Sequence, residues 1–167
     1  MRNNLVSTRR VLRWAATAPA AGVAQKALHE DGIRLCGQLL IYPVTDSDGK
    51  SPSAKAFANV PPFKNALSSL LWGTYLGHPV TDGVPAYASP LHGNVAGVAT
   101  AYVETAEFDP LRDEGNAYAH ALRDQGVDVT MNAVSRAVHG FDLLVPKSAI
   151  SKAAVESRIQ FLRKVYA

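Results

Sequence analysis

A chain of 167 residues, 47% hydrophobic and 19% charged, has the composition of a folded domain and is long enough to build one core. Its formal charge is only +3, with basic residues scattered apart from Arg9, Arg10 and Arg13, which excludes the concentrated basic stripe of a nucleic-acid-binding surface. One cysteine, Cys36, excludes an internal disulfide, and no run reaches the ~18 apolar residues of a membrane-spanning helix.

From Ala20 to Leu28 the residues are helix formers, and Asp31-Gly32 supplies a stop, since glycine takes the left-handed conformation that closes a helix. Leu39-Leu40-Ile41-Tyr42 is a continuous apolar run ended by Pro43, the pattern of a strand buried on both faces. Residues 45–62 are polar and interrupted by Gly49, Pro52, Pro61 and Pro62, so they read as an excursion away from the sheet, of the kind that often forms a lid. Asn65 can cap a helix carrying Leu67, Leu70, Leu71 and Tyr75 before Gly77. Residues 78–94 return to loop character. Val98 to Val103, ending at Thr105-Ala106-Glu107, is a second strand, and Glu114 to Gln125 a helix closed by Gly126. Val127 to Ala133 alternates as a third strand, and the last helix runs from about Ser148 to Val165.

Strands that alternate with helices over crossovers of a dozen or more residues are parallel, so the fold class is α/β. Functional groups in such sheets gather just beyond the carboxyl ends of the strands. Asp109 follows the second strand and His139 the third, so both fall there. A carboxylate in that place can fix the tautomer of an imidazole and stabilise the imidazolium formed when it takes a proton. Taken alone, an Asp after one strand and a His after another is a common coincidence. His29, His78, His92 and His120 are too dispersed for metal-ligand spacing, and no cofactor is expected. Asp113 and Glu114, at a helix start, fit dipole stabilisation and solvation. Trp72 and Tyr75 fit packing first and an acyl pocket second. Cys36 reads as a small core residue beside a strand.

The segments around the pair are more specific. Thr105-Ala106-Glu107-Phe108-Asp109-Pro110-Leu111-Arg112-Asp113-Glu114-Gly115, His139-Gly140-Phe141, Gln38 to Val44 and Ala88-Ser89-Pro90-Leu91 closely resemble the hormone-sensitive-lipase-like family of α/β-hydrolases, in order and spacing from about Ala20 to Ala167. The resemblance implies a mostly parallel sheet with helices on both faces, a helical cap formed here by about 45–97, and hydrolysis of small-molecule carboxylic esters. It assigns Asp109 as the orienting acid and His139 as the general base of a triad in the chain order Ser, Asp, His. Ser89 lacks the glycines of a strained nucleophile elbow and reads as a structural loop serine.

Family members carry Gly-Asp-Ser-Ala-Gly-Gly-Asn ahead of the helix that precedes the first strand, which places the nucleophile near Trp14. The sequence there is Leu12-Arg13-Trp14-Ala15-Ala16-Thr17-Ala18, with no serine and no glycine, and the upstream oxyanion segment is absent too. Residues 1–19 are therefore read as atypical, out of frame or disordered, and 20–167 as a partial hydrolase domain. A one-base shift in codons for Gly-Gly-Asn yields Ala-Ala and a threonine-type codon, matching Ala15-Ala16-Thr17. The expectation is an esterase family chain that is inactive alone; the alternative is a non-catalytic protein binding a small apolar ligand or a partner. The Leu39–Tyr42 strand is expected to present an open apolar edge and so to favour self-association. The lone thiol fits a reducing, cytoplasmic location, whereas Thr8-Arg9-Arg10-Val11-Leu12-Arg13 has the look of a twin-arginine export leader.

Overall fold

The computed structural model describes residues 11–15, 19–62 and 68–167. Four strands, β1 (Val11–Ala15), β2 (Gly37–Ile41), β3 (Ala101–Phe108) and β4 (Val129–Val138), form one sheet in the order of the chain, and every neighbouring pair is parallel. Helix α1 (Pro19–His29) links β1 to β2, and α4 (Arg112–Asp124) links β3 to β4. Between β2 and β3 the chain leaves the sheet through α2 (Pro52–Ala56) and α3 (Ser68–Leu76). A short α5 (Phe141–Leu144) and the long α6 (Ala149–Tyr166) complete the fold.

Side chains alternate across a strand, and the core divides accordingly. Leu40, Ala101 and Val103 face Ala20 and Ala21 of α1 and Tyr118, Ala119 and Leu122 of α4. Leu39, Ile41, Tyr102 and Ala106 face Phe141, Ala154 and Phe161. Two helical layers thus enclose the sheet, which is why β2 and β3 read as continuous apolar runs.

Two sequence expectations change, and a third lies outside the described residues. The edge of β2 is not open, because β1 pairs along it from Val11 opposite Gly37 to Ala15 opposite Ile41. The segment is short and interrupted by Arg13, which reads with Arg9 and Arg10 as part of a leader rather than of a strand. Strand β3 starts at Ala101 rather than Val98 and runs to Phe108, while β4 ends at Val138, so Asp109 and His139 directly follow their strands. Asn65, expected to cap a helix, lies outside the described residues, and α3 is described from Ser68 to Leu76.

The excursion is tied down. Ser53 N–H donates to Asp113 Oδ2 (2.7 Å), Ser53 Oγ donates to the Pro110 carbonyl (2.8 Å), and Arg112 lies 5.2 Å over the Phe57 ring. These bonds anchor α2 to the loop after β3 and to the first turn of α4. Trp72 is buried against Ala88, whereas Tyr75 is half exposed.

Helix α1 crosses the loop before Ser89 so closely that a Cβ on Gly22 would overlap the Tyr87 carbonyl oxygen, which is backbone and cannot swing away. Gly22→Ala is therefore expected to destabilise the fold by about 3 kcal/mol. The check is the urea midpoint; an unchanged midpoint would mean the helix and loop can part without penalty.

Candidate active site

The approach of Asp109 and His139 is set by an irregularity between β3 and β4. Ala106 pairs with Val134, yet Phe108 pairs with Val138, so β4 uses two more residues than β3 over this interval. Within it Arg136 takes a left-handed φ of 56° and donates its N–H to Glu107 Oε2 (2.6 Å). A bulge of this kind re-aims the residues beyond it. Because Phe108 and Val138 are opposite one another, the next residues on each strand are neighbours: His139 Nδ1 lies 2.9 Å from Asp109 Oδ2.

Asp109 is almost fully buried, and its other oxygen accepts the Leu111 N–H (2.9 Å). A carboxylate only accepts, so His139 carries its proton on Nδ1 in this bond, and Nε2 is the nitrogen suited to exchange a proton with a nucleophile. Gly140, with φ of 67°, turns the chain from His139 into α5. The imidazole packs against Tyr42, ring centroids 5.0 Å apart, and Tyr42 holds a left-handed φ of 50° immediately after β2.

The other residues singled out from sequence stand elsewhere. Ser89 is buried, its Oγ accepting the Ser47 N–H (3.0 Å) and donating to the Thr45 carbonyl (3.4 Å). It ties a loop. His29 and His78 contact backbone carbonyls, and His92 meets Asp46 at 3.0 Å on the surface. Among the described residues no cluster of His, Cys, Asp and Glu has the arrangement of a metal site. Cys36 is partly exposed rather than a core residue.

Glu114 is a correction. Expected as a solvated partner of a helix dipole, it is buried, and Oε1 accepts the N–H groups of Thr45 (2.7 Å) and Asp46 (3.2 Å). The first turn of α4 faces the loop after β2, so the side chain supports that loop instead of reaching water. Burial pushes the carboxyl up to about 8, against the pull of the two amide bonds and aided by the nearby charges of Asp46 and Asp109. An acid raised in this way binds a proton that the unfolded chain releases. Its contribution to stability is complete below the ordinary value of 4.5 and is lost as pH rises to about 8. Glu114→Gln keeps an acceptor for both amides and removes the titration. Across that window the parent chain is expected to lose stability relative to Glu114→Gln by ~1.4 kcal/mol per pH unit. Denaturation at several pH values measures it, and parallel curves for the two chains would refute the linkage.

Sequence reading missed Tyr42, Glu104, Glu114, Asp142 and Arg158 around this site. A signal existed for one of them: Glu104 is a carboxylate in the middle of an apolar strand, and a buried carboxyl group is costly unless it is paired or hydrogen-bonded.

A parallel sheet enclosed by helices, with polar side chains meeting beyond the carboxyl ends of neighbouring strands, is the arrangement of the α/β-hydrolases. The family model described as alpha/beta hydrolase fold matches residues 19–143, and the chain belongs to that family of carboxylic-ester hydrolases. It is similar to Carboxylesterase NlhH of Mycobacterium tuberculosis, 35% identical over 136 residues that cover 78% of this chain and 43% of that protein. Carboxylic ester hydrolase LipN of the same organism is 35% identical over 141 residues, 83% of this chain and 37% of that one. A bacterial heroin esterase structure superposes with a TM-score of 0.81 at 29% identity, over 92% of this chain and 51% of its own. The chain thus spans less than half the length of the curated relatives it matches and about half of the solved structure.

Proposed function

We propose that Asp109 and His139 are the orienting acid and general base of carboxylic-ester hydrolysis, carried by residues 20–167 as part of a hydrolase domain. The observation that supports this most is the 2.9 Å bond between His139 Nδ1 and the buried Asp109 at the ends of adjacent parallel strands. In such chemistry the imidazole takes the proton of a nucleophilic hydroxyl as that oxygen attacks the ester carbonyl, then returns it to the leaving alcohol. The nucleophile belongs to the turn between the strand and helix that precede β2. Here β1 ends at Ala15 and α1 begins at Pro19, and neither β1 nor the intervening Ala16-Thr17-Ala18 contains a serine. Ala16, Thr17 and Ala18 lie outside the described residues.

The 167 residues by themselves are therefore proposed to be inactive. The expected result is no labelling by a fluorophosphonate probe and no turnover of a short acyl ester. Labelling of any serine would overturn the absence of a nucleophile. A second reading, non-catalytic binding of a small apolar ligand, draws on a cavity of about 370 Å³ lined by Val23, Tyr75, Leu76, Pro85 and Ala88. Saturable binding of a hydrophobic dye, lost in Val23→Arg, would favour it.

Among the described residues no helix is long and apolar enough to cross a membrane. A cytoplasmic location is proposed from the single cysteine, with export through the twin-arginine-like segment as the alternative that cell fractionation separates. Self-association is proposed at the sheet margin, where β1 pairs on one side only among the described strands. A monomeric elution volume would count against it.

A further inference from the structure

Glu104 lies in the middle of β3 with no exposure to solvent. Its Oε2 accepts from Tyr102 Oη (2.7 Å), Asn132 Nδ2 (3.0 Å) and Arg158 Nε (3.2 Å), and its Oε1 pairs with Arg158 Nη2. The same guanidinium, on α6, sends Nη1 to Asp142 Oδ2 at 2.6 Å. The second oxygen of Asp142 accepts the Tyr42 hydroxyl at 3.0 Å. Burial alone would raise the Asp142 carboxyl, but the hydrogen bond and charge of Arg158 hold it below the ordinary range. Burial, with Asp142 and Glu104 beside it, pushes the Tyr42 phenol far upward, so it stays a donor.

These contacts reach His139 by two routes. Asp142 follows it by three positions in the turn that carries it, and Tyr42 packs against its imidazole face. Arg158 anchors Asp142 to Glu104, which sits on the strand that leads into Asp109. Both members of the Asp109–His139 pair are thereby referenced to β3, one through the chain and the other through a guanidinium with a fixed fork geometry. Apolar side chains would fill the space without the desolvation carried by one buried and two partly buried charges. What they would not supply is direction.

We propose that Asp142 and Arg158 are positioning residues for His139, holding its ring in the plane and tautomer that bond Asp109. This rests on the reading of Asp109 and His139 as acid and base, and its test does not use esterase activity. In the chain as it exists, a proton NMR spectrum should contain a far-downfield imidazole resonance from the Nδ1 proton, assigned by its loss in His139→Gln. Asp142→Ala leaves the Glu104–Arg158 pair in place and cuts the tie to the turn. It is expected to abolish that resonance or speed its exchange with water by about tenfold, the factor carried by a charge-assisted hydrogen bond, while the variant still unfolds cooperatively. Asp142→Glu should recover part of the protection. Lys164→Ala, which removes an exposed pair from the same helix, should change nothing.

An unchanged resonance in folded Asp142→Ala would overturn the positioning role and leave the acid–base reading standing. Should Asp142→Ala fail to fold, Tyr42→Phe carries the test: it keeps the ring and removes one bond to Asp142, so faster exchange supports the role and an unchanged rate overturns it. Absence of the resonance from the parent chain would overturn both, since there would be no paired imidazole to position.

Discussion

With the segment ahead of α1 replaced by a serine-bearing elbow and with oxyanion donors restored upstream of it, this chain is expected to hydrolyse short acyl esters, and Asp109→Asn in that background to lower kcat by about 10⁴. The reason is the tautomer. Asp109 can only accept from His139 Nδ1, whereas an asparagine can present its amide as a donor there, moving the imidazole proton to Nε2, where it blocks proton abstraction. His139→Ala removes the base itself and should cost at least as much. Steady-state kinetics on a chromogenic ester give the measurement. A loss of less than about tenfold in either variant would refute the roles proposed for these residues, because an intact triad acts as a unit.

Arg158→Met is expected to destabilise the fold by about 3–5 kcal/mol, more than any surface substitution. It strands Glu104, which is fully buried and has Arg158 as its cation, and it unties Asp142. Chemical denaturation with cooperative unfolding reads this directly. The double variant Glu104→Leu/Arg158→Met removes the charge together with its partner, so it should be more stable than Arg158→Met alone. If the double variant is the less stable of the two, the penalty arises from lost packing along α6 rather than from an uncompensated carboxylate.

Together the two predictions separate the chemistry of the pair from the scaffold that aims it. Asp109 and His139 meet through one hydrogen bond at the rim of the sheet. Glu104, Arg158, Asp142 and Tyr42 lie beneath and beside that bond, in the apolar layer between the sheet and α6.

The sequence alone determined the class of fold, since runs such as Leu39–Tyr42 and the 3.6-residue pattern from Glu114 to Leu122 respond to local burial and local hydrogen bonding. It determined the family, because the residues that carry it are contiguous motifs, and it drew attention to Asp109 and His139, which the structure brings within hydrogen-bond distance. It was blind to β1, whose place depends on β2 lying alongside. It could not count the two additional residues of β4 that bring Val138 opposite Phe108, and without them the partner of Phe108 would be Arg136 and His139 would pass beyond Asp109. Nor could it see that Glu114 turns inward to Thr45, or that Arg158 reaches Glu104 across 54 positions of chain. Burial of a charge is settled by what packs over it, and those neighbours are distant in sequence, so only the tertiary structure decided them.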